Sequence, residues 1–591
     1  MLAWYLCSKP TPMTRRKAKG EVQVPYQIQQ KYCSCCHRCK NVCPAGAIRF
    51  RDGAYWIDPE RCISCGLCAK NCHNSIITEI GAIPIAKKPH EPVEKECDLL
   101  VVGAGGSGLI CAVKTAQETG KKVIVLEKAP KIGGNTWYAS GFQPHYSKLQ
   151  RQAGAPDRRE EAIRKFLLDT VQQEDPQLIR NVFYGSERFI DWLMDDCGCQ
   201  EDFVLGRDHR GVEMACLVNR TGTKWERSDL SIGPGGAGSF LVEKLERQVE
   251  RLGIEVLTEH RAEHLITDDS GAVTGVVASD GGGAVVIRAC KVVLATGCFS
   301  YDDKLVEQCC PGFFAEGKVP VHRFSVPTCT GDGIKMAREI GADIDEENTQ
   351  CLILGPAHHP YAFSLVCLVR EPETVLVNQE GNRFGNEQDN TMGMRKLIQR
   401  QPGRVCWAIA NDALLERQAR QLEHSNRDGE AGARVIRKYR QDLEEEIAMG
   451  EPVKKADTLA ALAVQIGIDP GALEETMAHY NACCAKGYDD AFFKAPEYLT
   501  PIEGGPYYAI RCQTFQENAV GGMKINSILQ VLRPDGTVIP NLYAVGDNTR
   551  GVRLAGDLGP SVVEGTISNL TWCVASGYLA AEQVIQSFSS K

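Results

Sequence analysis

From residue 97 onward, short apolar runs alternate with glycine turns and stretches of helical spacing. Asp98-Leu-Leu-Val-Val102 is an unbroken apolar run, which predicts a buried strand. A glycine turn follows, and Ser107 to Glu118 carries helical spacing. Lys122-Val-Ile-Val-Leu126 repeats the strand pattern. Together these segments predict a β-α-β unit. Between Ile254 and Ile287 apolar and polar residues alternate, broken by Asp-Ser-Gly and Asp-Gly-Gly-Gly turns, and Lys291-Val-Val-Leu-Ala295 is another apolar strand. Residues 410–470 are charged and helix-rich, as in Lys438 to Met449, and from Ser561 a long amphipathic helix is expected to end near Gln586.

The N-terminal part has a different texture. Residues 1–25 carry no hydrophobic periodicity and read as a leader. Residues 26–80 hold clustered cysteines between short strands and turns. Residues 81–94 contain three prolines and several charges, so a linker is expected over 81–96.

The cysteine spacing brings in chemistry. The first run is Cys33-x2-Cys36-x2-Cys39-x3-Cys43-Pro44, and the second is Cys62-x2-Cys65-x2-Cys68-x3-Cys72. A cubane needs four thiolates, three from one tight loop and one from a distant segment. In two-cluster bacterial arrangements the fourth cysteine of each run serves the other cluster. The expected sets are therefore Cys33, Cys36, Cys39 and Cys72 for one [4Fe–4S] cluster, and Cys62, Cys65, Cys68 and Cys43 for the other. Structural zinc is the alternative, but four cysteines per run fit the usual paired spacing poorly. His73 stands where a proline commonly follows the second run, and Cys35 is an extra thiol read as a bystander.

The glycine turn reads Gly103-Ala104-Gly105-Gly106-Ser107-Gly108, between a strand and a helix. Glu127 closes the second strand, where an acid binds a ribose hydroxyl, and Lys128 follows it. The glycines let a pyrophosphate approach the backbone, and the helix N-terminus stabilises its charge. Downstream stand Gly133-Gly134-Asn135-Thr136, Ala139-Ser140-Gly141, Ala295-Thr296-Gly297, Thr330-Gly331-Asp332-Gly333 and Leu542-Tyr-Ala-Val-Gly546-Asp547. This ordered series resembles the fumarate reductase/succinate dehydrogenase flavoprotein family, in its ene-reductase and ketosteroid dehydrogenase-like branch, over most of residues 97–591.

The resemblance implies an α/β FAD-binding Rossmann-like domain with an inserted α+β cap domain, preceded by a small ferredoxin-like 2[4Fe–4S] domain. The expected boundaries are 97–345 and 506–591 for the two parts of the FAD domain and 346–505 for the cap. Asn135 matches the position where some members attach flavin through histidine, which implies non-covalent FAD. Gly559-Pro560-Ser561-Val562 matches a helix start that faces the flavin, whose dipole would stabilise reduced flavin.

The active-site match is thinner. Arg383-Phe384-Gly385-Asn386-Glu387 matches a family motif, but the acid position after it falls on Thr391. Arg370 matches a proton-relay arginine, with Arg395 nearby. Asp557 and Arg553 fall where a family arginine and histidine clamp a carboxylate, so fumarate or succinate is not the expected substrate. Arg553, Arg550 and Glu517 are the leading catalytic candidates. Tyr361 could polarise an enone oxygen, although a packed loop tyrosine is the favoured reading, and His359, beside His358, could donate a hydrogen bond, with a solvated loop as an equal reading. The pairs Cys309-Cys310 and Cys483-Cys484 lack metal spacing and read as buried small hydrophobes, with vicinal redox thiols as the other reading.

Composition narrows the setting. The 591 residues suit two or three domains, with 43% hydrophobic and 24% charged residues. A net charge of −8 gives no field for nucleic acid. No apolar run is long enough to span a membrane, and the apolar start from Met1 to Cys7 is too short for a signal-peptide core. The 27 cysteines then indicate reduced thiols and metal ligands in a reducing cytoplasm, as in an anaerobe. No second dinucleotide fold is visible. The expected electron donor is ferredoxin, flavodoxin or a partner reductase, and the expected partner in chemistry is a small unsaturated substrate with an activated C=C bond. A conduit subunit with no substrate of its own is the other class of reading.

Overall fold

The computed structural model describes residues 26–33, 38–51, 54–80, 87–139, 145–169, 175–200, 203–207, 213–217, 237–309, 323, 325–346, 351–356, 363–388, 392–424, 436–450, 453–518, 521–550 and 569–589. The chain divides into two compact units, Met1–Ile85 and Ala86–Lys591.

In the first unit, strand Tyr26–Ile28 pairs antiparallel with Ile77–Glu79, and hairpin strands Ile48–Arg51 and Ala54–Ile57 pair with each other. Two short helices, Arg38–Asn41 and Leu67–Asn71, each contain the third cysteine of a run, Cys39 and Cys68. Both of these cysteines are buried.

The second unit is organised on an eight-stranded sheet. Its centre is Val93–Val102, with parallel neighbours Val123–Leu126 on one side and Ala284–Leu294 on the other. Glu255–Leu257 extends the parallel set beyond Val123–Leu126. Strand Ala284–Leu294 changes partner along its far edge. Its first half pairs antiparallel with Val273–Ser279, and its last three residues pair parallel with Leu542–Ala544.

The period of two along the central strand separates two cores. Leu99 and Val101 pack among the helices Gly106–Thr119, Pro176–Asp196, Ala237–Leu252 and Asn569–Ser589. Leu100 and Val102 face the other way, onto Leu265, Val273 and Met336. A strand buried on both faces is apolar throughout, which is why this segment stands out in the sequence.

Three expectations change. The central strand begins at Val93, so 93–96 is not linker. Glu94, Lys95 and Glu96 hide it, but they pair with Val286 to Arg288 at the solvated end, and the Lys95 ammonium lies 2.7 Å from Glu255. The C-terminal helix is not amphipathic over its first turns, because every residue from Thr571 to Ala581 is buried. Helix neighbours surround it, and Gly577 lies so close to the Gly106–Thr119 helix that a Cβ would fall 2.3 Å from the Ser107 carbonyl oxygen.

The third change concerns the cap. Its antiparallel sheet has the order Cys351–Pro356, Tyr507–Asn518, Val405–Asn411, Val375–Val377, with Val453–Ala456 also on Tyr507–Asn518. The strand Tyr507–Asn518, assigned from sequence to the flavin domain, is thus the central strand of the cap. Its Tyr508, Ala509, Ile510 and Cys512 belong to the cap core with Leu365, Leu462 and Met477. A returning strand looks the same from sequence whichever sheet it joins.

Candidate functional site

A cavity opens at the carboxyl ends of the parallel strands, lined by Val102, Leu126, Ala295 and Val545 among others. That location is the usual ligand crevice of open α/β sheets. Gly103, Gly105, Gly106 and Ser107 line one wall, and Ala295, Thr296 and Gly297 another.

The glycines divide the work sterically. Gly103 has φ +110°, and a Cβ there would lie 2.2 Å from the Ala295 carbonyl oxygen. At Gly108 a Cβ would meet the Gly103 carbonyl oxygen at 2.0 Å, so this glycine lets the helix close onto the strand turn. A Cβ at Gly105 would meet nothing within 4 Å. That open face at a 14-residue helix's N-cap is where an anion can reach the backbone. A dinucleotide cofactor fits this cradle.

Glu127 lines the cavity and is almost fully buried. Burial pushes its carboxyl up, while the amides of Ala129 and Ala104 donate to it at 2.7 and 3.0 Å. Lys128 donates to Asp332 at 2.8 Å, and Arg261 donates to the same carboxylate. Burial alone would raise Asp332, but these cations win and hold it at about 2. Asn135 accepts from the Val326 amide at 2.7 Å and donates to Cys298 Sγ at 3.7 Å, so it ties two cavity loops together. Gly134, Thr136 and Asp547 also line the cavity. Ala104, Gly108, Gly133 and Gly546 support it from behind. Gly546 closes on Ser107, whose Oγ would lie 2.7 Å from a Cβ there. Ser140, Gly141, Ser561 and Val562 lie outside the described residues.

The sequence reading missed His260, Thr328, Cys329 and Cys573 on the cavity wall. Cys329 is buried, and its hydrogen bond with Cys298 and its burial keep the thiol far above its ordinary range. Burial does the same for Cys573, helped by the neighbouring Asp547 carboxylate. Single thiols and hydroxyls in separate loops form no pattern along a chain.

In the first unit, burial pushes the Cys68 thiol up to about 11, and the neighbouring thiols Cys62, Cys65 and Cys43 act in the same direction. Cys43, the fourth cysteine of the first run, thus acts electrostatically on Cys68, the third of the second. The Ala47 amide points at Cys43 Sγ at 3.3 Å, which would ease negative charge on that sulfur. Cys33, Cys39 and Cys72 are half-buried or buried, and Cys36 lies outside the described residues.

Residues 98–559 match the family described as FAD binding domain. The chain belongs to this FAD-binding family. Residues 55–78 of this flavoprotein match the 4Fe-4S binding domain. It is 27% identical over 477 residues to the NADH:fumarate oxidoreductase of Klebsiella pneumoniae, covering 80% of this chain but only 47% of that protein, so it spans about half the length of that relative. It is 26% identical to the vinyl phenol reductase of Lactiplantibacillus plantarum over 79% of this chain and 92% of that protein. Among solved structures it is similar to the open conformation of a flavocytochrome c3 fumarate reductase, with a TM-score of 0.64 and 26% identity, covering 83% of this chain and 78% of the other.

The described catalytic candidates of the flavoprotein are Glu517, Arg550 and Arg370. Glu517 falls at a register shift: Cys351 faces Asn518 and Leu352 faces Gln516, which leaves Glu517 as the extra residue of a β-bulge. Arg550 follows the Gly546–Asn548 turn, with its Nε 3.1 Å from Asp345. Arg370 is half-buried at the end of helix Phe363–Val369. Arg553, Tyr361 and His359 lie outside the described residues.

The Arg383-to-Glu387 motif has a structural place. Arg383 donates to both Glu387 oxygens, at 3.0 and 2.8 Å, and to Asp489 at 3.2 and 2.9 Å. The Lys494 ammonium lies 3.0 Å from Glu387 and donates to the Thr374 carbonyl at 2.9 Å. All four charged groups are buried beneath the cap sheet. No helix among the described residues is long and apolar enough to cross a membrane.

Proposed function

We propose that this protein is an oxidoreductase that reduces an activated C=C bond, fed with electrons through two [4Fe–4S] clusters in its N-terminal unit. The glycine turn from Gly103 to Gly108 would hold the pyrophosphate of FAD, and Glu127 its ribose. Gly133 to Thr136, Ala295 to Gly297, and Gly546 with Asp547 would line the rest. Bound there, flavin supplies hydride chemistry. The residues of the chain bind it without a covalent bond, since Asn135 is engaged with Val326 and Cys298 and is no nucleophile. Cys33, Cys36, Cys39 and Cys72 would hold one cluster, and Cys62, Cys65, Cys68 and Cys43 the other, which supply one-electron steps.

One observation carries the reading of the substrate. Arg550 Nε already lies 3.1 Å from an Asp345 carboxylate oxygen, so part of its charge is balanced by the chain itself. A cation in that state is a poor clamp for a dicarboxylate, and the proposed substrate is an enone, an enoate or an aryl-acrylate, including vinyl-phenol-like and steroid-like shapes. Glu517 at its bulge, together with Arg370 and Arg553, is the proposed group for proton delivery, with Tyr361 and His359 as hydrogen-bond donors to the substrate. The cap has its own sheet and core, which a pure electron conduit does not need. Ferredoxin, flavodoxin or a partner reductase is the proposed donor.

The test is anaerobic. The holoenzyme is reduced with dithionite, and enones, enoates, aryl-acrylates and fumarate are added separately. Return of the oxidised flavin band with one of the first three classes, and not with fumarate, is the expected result. Reoxidation only by an added protein would overturn the enzyme reading in favour of a conduit. Cluster assignment is tested separately: Cys65→Ser should remove about half the iron and one cluster signal in electron paramagnetic resonance, leaving flavin content unchanged.

A further inference from the structure

The cap carries a cluster of side chains that the flavin chemistry does not use. Helix Pro470–Lys486 presents His479 and Cys483, four residues apart and so on one face. Asp490 comes back to them from the turn after the helix. His479 Nε2 lies 2.9 Å from Asp490 Oδ1, and Cys483 Sγ lies 3.4 Å from the same oxygen. The nitrogen, sulfur and oxygen all lie within 4.8 Å of one another. From the sequence, Cys483 and Cys484 were set aside because their own spacing is wrong for a metal. The other two ligand types come from the preceding helical turn and the following loop.

We propose that His479, Cys483 and Asp490 form a binding site for a borderline-soft divalent cation, with Zn²⁺ as the natural occupant. Tetrahedral zinc with imidazole, thiolate and carboxylate ligands has ligand–ligand edges of about 3.3–3.7 Å. The two separations to Asp490 Oδ1, 2.9 and 3.4 Å, lie within a few tenths of an ångström of those edges, and the imidazole nitrogen lies within 4.8 Å of the sulfur. The sulfur is the buried floor of the site, while His479 and Asp490 stand half-exposed at its rim, which leaves a fourth position for water. Lys486 sits 3.6 Å from the other carboxylate oxygen, Oδ2, so the ion and the lysine do not compete for one atom.

The ligands are held in place by the fold. The helix closes on Gly487 with φ +68°, and the Tyr488 amide donates to the Cys483 carbonyl at 3.1 Å. The next residue, Asp489, is fixed by Arg383 and by the amides of Ala491, Phe492 and Lys494. Asp490 is therefore set between two anchored points. An ion here would staple the helix to the turn that holds Arg383, so the site would act on cap rigidity and not on the flavin.

The experiment uses the holoenzyme with clusters and flavin in place, kept anaerobic. It is dialysed against a mild chelator and titrated with Zn²⁺ alone, with zinc and iron counted by mass spectrometry. One zinc per chain with iron unchanged is expected, and X-ray absorption at the zinc edge should read a single sulfur at about 2.3 Å with nitrogen or oxygen at about 2.0 Å. His479→Ala and Asp490→Ala change half-exposed side chains and should fold normally. Each should weaken zinc binding roughly a hundredfold, at least as much as loss of an outer-shell partner does. Lys486→Met should keep it. No bound zinc, zinc retained by both alanine variants, or an edge spectrum with several sulfurs would overturn the proposal.

Discussion

Gly108→Ala is expected to yield a protein that purifies without its flavin. The added methyl would lie 2.0 Å from the Gly103 carbonyl oxygen and 3.1 Å from the side chains of Ala295 and Val101. None of these can move without opening the turn, because the Gly103 amide also donates to Leu126 at 2.7 Å. Overpacking of this kind costs about 1–3 kcal/mol, and here it falls on the wall of the cofactor cavity. The companion variant separates cofactor space from fold. A Cβ at Gly105 would meet nothing in the chain, so Gly105→Ala should leave the melting temperature of the flavin-free protein unchanged. It should still lower flavin content, because the methyl occupies the space a pyrophosphate needs. Flavin-to-protein absorbance ratios and thermal melts of the apo forms check both. Full flavin in Gly105→Ala would mean that the pyrophosphate does not approach this glycine.

The second large effect lies in the cap. Removing Glu387 takes away the carboxylate beside Lys494 and one of the two carboxylates on Arg383, in a site where all three are buried, and breaking such a network costs about 3–5 kcal/mol. Glu387→Ala should therefore open the cap to limited proteolysis and raise amide exchange in Val375–Val377 and Tyr507–Asn518 before the parallel sheet responds. Arg383 is doubly held, since its guanidinium also lies over Tyr480 and Phe492 at 5.0 and 5.1 Å. The network also sets an acid limit. Burial would raise the Glu387 carboxyl, but Lys494 and Arg383 hold it below its ordinary value. Burial would likewise raise Asp489, which Arg383 holds at about 2. Both folded values lie below the unfolded ones. Their stabilisation is therefore present above the ordinary carboxylate range, and is lost as pH falls from about 4 towards 2. Cap exchange measured across that window should rise in the wild type and be flatter in Glu387→Gln. Unchanged proteolysis of Glu387→Ala would show that the network carries little of the cap's stability.

Much of the flavin site was legible because its requirements are local. The turn from Gly103 to Gly108 must be glycine where backbone meets backbone, and the contact of Gly108 with Gly103 lies within one β-α-β unit, although that of Gly103 with Ala295 does not. The cysteine runs are local in the same sense, with three ligands in seven residues. The structural role of the Arg383 motif was not legible, for the opposite reason: its partners Asp489 and Lys494 lie more than a hundred residues away, and they make it a buried brace. Arg550 likewise could be placed near the substrate from sequence, but its pairing with Asp345 depends on the two-residue strand Ile344–Asp345 meeting Gly522–Met523.

The sequence by itself determined the two cofactor modules. Glycine positions, a terminal acid and cysteine spacing are set by bond geometry over a few residues, and they survive in any fold that keeps those segments. Only the tertiary structure decided which sheet the strand Tyr507–Asn518 joins, where the cap ends, and which charges are locked. It also brought Asp490 to His479 and Cys483. These are contacts between segments whose spacing along the chain carries no period, so chain closure and burial, not local pattern, select them.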